Sequence, residues 1–277
     1  MEPGSAGYPR RLSHVHAVHR PLHVRGTLRD TDVAVAVVGS RAAARADAKA
    51  AFTLAEAWAA RGHLIVSGGA MGIDAAAHQG ALAADGSTIA VLGTGVDVVY
   101  PARHAALFAA ITRRGALVSM FPLGAPPRAG HFVARNQLIA GLADAVVVIA
   151  ASAASGALHT ARAAHALGRP VLAAPGTPGC DRLIAAGVGL CTEPADLDRA
   201  LAGDPRRPPR AVATGDAASA LAVLDQTARD ADIVANLLGW TAPRAAAALF
   251  ELELLDLAIA LPGRKYVRST LTGPQVG

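Results

Sequence analysis

At 277 residues the chain has room for one mid-sized domain and a small one. It is 52% hydrophobic but only 4% aromatic, and its formal net charge is +5, with 24 Arg against the two lysines Lys49 and Lys265. No apolar run approaches the ~20 residues of a membrane span, the N-terminus has no apolar signal core, and Cys180 and Cys191 supply neither a disulfide framework nor a CxxC metal pattern. The expectation is a soluble, cytoplasmic protein with no membrane partner and no metal. The charge is uneven: residues 1–29 hold five Arg and one Glu, whereas eight basic and eight acidic residues balance from Asp204 onward. The basic excess in the arm is a weak pointer to nucleic acid.

Residues 1–30, with Pro, Gly and scattered Arg and His, show no helical period and predict an extended arm. His14, His16, His19 and His23 lie close together there, but no Cys or acid completes a ligand set, so a solvated arm is expected. From Val33 the pattern becomes strand, small-residue turn, helix, repeated. Strands are predicted at Val33–Val38, His63–Val66, Thr88–Leu92, Leu117–Met120, Ala145–Ala150 and Pro170–Ala173, with a helix over Ala42–Arg61 carrying Phe52, Leu54 and Trp58. Continuous apolar strands alternating with helices give a doubly wound parallel sheet over 31–202, which binds ligands at the carboxyl ends of its strands. A proline-rich charged linker is expected over 203–215, then a small domain at 216–270. Helices at Ala217–Ala228, Ala231–Leu238 and Pro243–Leu255, with Thr241 as N-cap of the last, precede a hairpin of Ala258–Leu261 and Lys265–Arg268. Three helices and a hairpin make a winged-helix domain.

The strand ends carry the chemistry. Gly39-Ser40-Arg41 combines close backbone approach, helix-start N–H groups and a guanidinium fork, or is an ordinary turn with a surface Arg. Ser67-Gly68-Gly69-Ala70-Met71-Gly72 has more glycine than a turn needs, which suggests backbone laid against a ligand. Asp74 and His78, one helical turn apart, are either an acid–base pair or a helix cap and a packing residue; with no nucleophile nearby, the second reading is preferred. The third glycine of a dinucleotide fingerprint is missing after the first strand and at Gly93-Thr94-Gly95, which argues against a nicotinamide or flavin cofactor. Arg135 and Asn136, near the start of an apolar helix, and Ser155, Gly156 and Thr160, at another helix start, add phosphate-gripping types without a nucleophile–base pair.

In order, GSR, SGGAMGID followed by His78, TIAVLGTGVD, YP, RNQLIAGL, SGALHTARAA, GRPVLAAPG and DRLIAAG resemble the DNA-processing protein A (DprA/Smf) family over about residues 8–192. The resemblance implies a Rossmann-like sheet that binds single-stranded DNA, forms a homodimer and helps load the RecA recombinase in natural transformation, with neither cofactor nor catalysis. The expected DNA contacts are Gly39, Ser40, Arg41, Ser67, Gly68, Gly69, Met71, Gly72, Arg135, Asn136, Ser155, Gly156 and Thr160, with Tyr100, Phe132 and His159 as nearby rings. The family pairs subunits through the stretch corresponding to Gly179–Cys191, which puts Leu183, Ile184 and Leu190 at the interface. Three features depart from the family pattern: Met71 stands at a usually basic position, His159 replaces an apolar loop residue, and the stretch from Pro175-Gly176 to Asp181 is short. The alternative is a nucleotide phosphoribohydrolase of the lysine-decarboxylase-like group, whose PGGxGTxxE motif is here Pro175-Gly176-Thr177-Pro178-Gly179-Cys180-Asp181, without the Glu.

Overall fold

The computed structural model describes residues 1–13, 15, 20–29, 31–206, 213–255 and 257–268. His14, His16 and His19 and part of the proline-rich linker lie outside them; His23 does not. The chain divides into two compact units, Met1–Asp181 with Gly189–Arg206, and Arg182–Val188 with Arg207–Gly277.

The first unit is built on the predicted apolar runs. Its strands are β1 (His23–Gly26), β2 (Ala34–Gly39), β3 (Leu64–Ser67), β4 (Thr88–Val91), β5 (Ala116–Ser119), β6 (Ala145–Ala150), β7 (Val171–Ala173) and β8 (Gly189–Leu190). They form one sheet in the order β1-β5-β4-β3-β2-β6-β7-β8. All pairs are parallel except β1 with β5, where Val24 faces Val118. Strands β2 to β5 step outward in one direction, and the chain then returns to place β6 beside β2. That reversal is a topological switch point, where a doubly wound sheet opens a crevice between diverging loops. Helices α1 (Arg45–Ala60), α2 (Ile73–Ala83), α3 (Ala105–Arg114), α4 (Ala129–Leu142), α5 (Ala157–Ala166), α6 (Pro178–Ala185) and α7 (Ala195–Leu201) complete the connections. The central strands are buried on both faces, as their unbroken Val and Ala runs require. Trp58 of α1 is fully buried and donates its indole N–H to the Pro194 carbonyl at 3.0 Å.

The described part of the arm is more ordered than its composition suggests. Leu12 and Leu22 are buried, and β1 adds an antiparallel strand at the sheet edge. Arg11 fixes it in place, donating to Asp144 at 2.9 and 3.0 Å and to the Thr31 carbonyl at 2.7 Å. A few apolar anchors and one paired guanidinium thus hold a segment with no periodic pattern.

In the second unit, α8 (Gly215–Ala222), α9 (Ala231–Leu238) and α10 (Ala242–Leu254) precede the hairpin of β9 (Ala258–Leu261) and β10 (Lys265–Arg268). The first helix stops well before the expected Ala228. Arg229 leaves the helical path to exchange backbone hydrogen bonds with Tyr266 at 2.9 and 2.7 Å, a single antiparallel bridge to the edge of the wing. The Asp230 carboxylate caps α9 on the Ile233 amide at 2.9 Å, and Gly239 ends it in the left-handed region at φ 66°. Thr241 sits at the N-cap of α10 as expected, without a side-chain capping bond.

Candidate nucleic-acid interface

Strands β2 and β6 diverge at their carboxyl ends around a cleft of about 780 Å³. Gly39, Ser40 and Arg41 line it from the turn after β2, Ser155, Gly156 and Thr160 from the turn after β6, and Arg135 and Asn136 from α4. Most of the expected contact residues therefore share one crevice at the switch point. A second, smaller cavity of about 60 Å³ adjoins it, lined by Gly68, Gly69 and Met71 together with Arg41 and Phe132. Ser67 is fully buried below, donating its hydroxyl to the Val37 carbonyl at 2.6 Å, so it holds β3 to β2 and is not offered to a ligand.

The turn after β2 is not a helix start. α1 begins only at Arg45, and the Ser40 hydroxyl accepts from the Ala42 amide at 3.2 Å while the Ser40 carbonyl accepts from Ile73 N–H at 3.2 Å. Arg41 is thereby held on a loop braced by the neighbouring turn. Its side chain is exposed, with the guanidinium carbon 5.3 Å from the centroid of the Phe132 ring. Tyr100, 45% exposed, stands against the other part of this rim at 5.8 Å between ring centroids. A cation within about 6 Å of a ring face is attracted by its quadrupole, so Phe132 aims the guanidinium while leaving its N–H groups to a ligand.

Arg135 behaves differently. α4 starts at Ala129, not at the end of the RN motif, so Arg135 and Asn136 lie well inside the helix and point back onto the strand ends. Arg135 is buried, and one terminal nitrogen donates to both the Gly68 and the Val91 carbonyls, the latter at 2.7 Å. Asn136 donates to the Gly156 carbonyl at 3.1 Å. Both line the cleft, but as clamps that tie the β3, β4 and β6 turns to α4.

The glycines follow from this clamp. A Cβ at Gly68 would overlap the Arg135 guanidinium, and one at Gly72, whose φ is 74°, would overlap the Ser40 carbonyl. The density of glycine that suggested ligand contact is required by packing alone at these two positions. Met71, between them, is 37% exposed and stands free at the rim. Asp74 is buried; its carboxylate accepts from the Ala70 amide at 3.2 Å, and burial pushes its pKa up against the pull of Arg135. Burial also pushes the Arg135 guanidinium down.

His78 is fully buried on α2, with Nδ1 2.7 Å from the Thr88 hydroxyl, which itself donates to the Ile65 carbonyl at 2.8 Å. The imidazole therefore donates from Nδ1, and burial lowers its pKa to about 3. His78 is a packing residue bonded away from the cleft, whereas Asp74 lines the cleft floor with its carboxylate held by the Ala70 amide. One pair had no signal in residue spacing: Phe121 and His131 stack at 3.9 Å between centroids with 12° between planes, outside the cleft. His159 is exposed on its rim. Of the expected interface residues, Leu183 is 2% exposed in its own chain and offers nothing to a second copy, whereas Ile184 and Leu190 are half-buried.

Among the described residues no single helix is long and apolar enough to cross a membrane. Residues 1–202 match the family model of the DNA recombination-mediator protein A, and residues 204–264 that of the DprA winged-helix domain. A DNA processing protein DprA of Mycobacterium tuberculosis is 44% identical over 187 residues, covering 63% of this chain and 48% of that one. The chain thus spans about half the length of that curated relative. Among solved structures, DNA processing protein A of Streptococcus pneumoniae superposes with a TM-score of 0.66 at 37% identity, covering 71% of this chain and 72% of that one. DNA processing protein A of Helicobacter pylori, described for its single-stranded DNA binding mode, superposes with a TM-score of 0.64 at 26% identity, covering 74% and 100%.

Proposed function

The chain belongs to the DNA recombination-mediator protein A family, and from that premise we infer that its switch-point cleft grips single-stranded DNA without chemical change to it. The observation that carries this reading is the Arg41–Phe132–Tyr100 rim, a free guanidinium oriented by one ring beside a second, exposed ring. Strand binding without sequence preference combines such a cation for phosphate with such rings for bases. Arg135 and Asn136, also in the cleft, stiffen its floor. Of the acid–base candidates, His78 is buried against Thr88 and Asp74 faces the cleft with its carboxylate held by the Ala70 amide, which supports a binding role over catalysis.

In this reading the protein works in the cytoplasm, protects incoming single strands and delivers them to the RecA recombinase during natural transformation. It does so as a homodimer, with Ile184 and Leu190 as the half-exposed apolar anchors; two clefts on one strand raise the effective concentration of each. Titration with single- and double-stranded oligonucleotides across a salt series tests the binding. Preference for the single strand, with a log–log slope of about 0.7 per phosphate contact, is expected; equal affinity for the duplex overturns it. Sedimentation of Ile184→Glu is expected to show a folded monomer with weaker strand binding, and an unchanged dimer rejects that interface.

A further inference from the structure

The cleft occupies one pole of the sheet and leaves a second group of arginines outside it. At the opposite pole, where strands begin, Arg10, Arg11, Arg29 and Arg169 gather around two adjoining cavities of about 440 and 230 Å³. Arg10 and Arg11 line both. Leu167 and Arg169 also line the larger, and Leu28 and Arg29 the smaller. None of the described residues lining either is acidic. Just beyond them, Asp144 accepts from Arg11 at 2.9 Å and from Arg169 at 3.3 Å, which fixes these two guanidiniums and offsets one of the four charges. Arg10 and Arg29 are exposed, and no described carboxylate pairs with either.

We propose that this pole is a second binding site for a single nucleic-acid strand, with phosphates on Arg10 and Arg29 and bases against the apolar walls. Guanidiniums beside the half-buried Leu28 and Leu167 suit a chain of phosphates and bases better than a free anion. They suit it better than an acidic peptide as well, whose carboxylates would leave the leucines uncovered. The separation of the sites follows from the sheet. β2 runs six residues between the two poles, a rise of about 20 Å, so the two sites lie at opposite ends of the same strand. Two strands can then be held at once, one at each end of the same sheet. The first strand's place rests on the cleft reading; the second site stands on its own charges and cavities.

The test counts hexathymidylate molecules bound per protomer of the full chain at low ionic strength, by calorimetry and native mass spectrometry. The intact protein is expected to take two. Arg10→Glu with Arg29→Glu is expected to take one, and the neutral pair Arg10→Gln with Arg29→Gln to lower the salt slope of the second step by about 1.4, at about 0.7 per lost contact. Circular dichroism on both confirms the fold, since neither residue belongs to the core. A stoichiometry that the charge reversal leaves unchanged, whether at one or at two, overturns the proposal. Displacement of the second hexamer by inorganic phosphate, or by oligoglutamate of equal charge, at matching concentration also overturns it. Arg41→Ala separates the two sites: loss of the other hexamer supports the cleft reading, and its retention removes that reading while leaving the basic pole intact.

Discussion

Arg41 and Arg135 line the same cleft, one from the turn after β2 and the other from inside α4, yet one is exposed on the Phe132 ring and the other is spent on two backbone carbonyls. The contrast separates two tasks that the same residue type performs. A buried guanidinium with short bonds to carbonyls contributes rigidity, because leaving those carbonyls without a donor in the dry floor is costly. An exposed guanidinium with an aromatic backing contributes recognition, because its fork still has N–H groups for phosphate. The glycines divide the same way: Gly68 makes room for Arg135, and Gly72 lets the second turn cross under Ser40.

Substitution at Arg135 has the largest expected effect. Arg135→Ala removes the donor from Gly68 and Val91 and leaves the Asp74 carboxyl buried without its counter-charge, a loss of about 3–5 kcal/mol of stability, the range for breaking a buried ionic cluster. Chemical denaturation reads it directly, and a variant as stable as the parent would break the distinction between the two arginines. His78 sharpens it further. Its folded pKa of about 3 lies below the ordinary histidine value, so the unfolded chain takes up a proton that the folded chain refuses. Stability is therefore full above the ordinary pKa and falls as pH drops from about 6.5 toward 3, by about 1.4 kcal/mol per unit. His78→Gln, which keeps a donor for Thr88, is expected to flatten that part of the pH–stability curve. An identical slope in the two proteins rejects a neutral, structural His78. The smallest effect belongs to Met71→Arg. A charge at this exposed rim position is expected to steepen the salt dependence of single-strand binding by about 0.7, with no change in unfolding. An unaltered slope places position 71 away from the strand.

The sheet was legible in the sequence because its strands are continuous Val, Ala and Ile runs between small-residue turns, and α9, β9 and β10 have the predicted bounds. The site was legible as a set of turns, and the structure brings most of them to one crevice. What the residues alone did not reveal was which polar groups are free. Ala42-Ala43-Ala44 is good helix-forming sequence, yet α1 waits until Arg45 because Ser40 is held by the turn before α2, a contact more than 30 residues away along the chain. The burial of Arg135 likewise depends on where α4 begins relative to the ends of β3 and β4. The arm has no period to mark it, and the order of its described residues comes from isolated anchors, Leu12, Leu22 and Arg11, that no pattern signals. Leu183 had the apolar character of an interface residue, but its own chain covers it.

The measurement that bears most directly on the account is the affinity of Arg41→Ala for a single-stranded oligonucleotide, taken beside its thermal unfolding. The exposed guanidinium is expected to contribute a charge-assisted bond of about 1.5–3 kcal/mol, so affinity falls by roughly ten- to 150-fold while the unfolding curve superimposes on that of the parent. A folded Arg41→Ala protein that binds the strand as tightly as the parent contradicts the claim that this rim is where DNA is held.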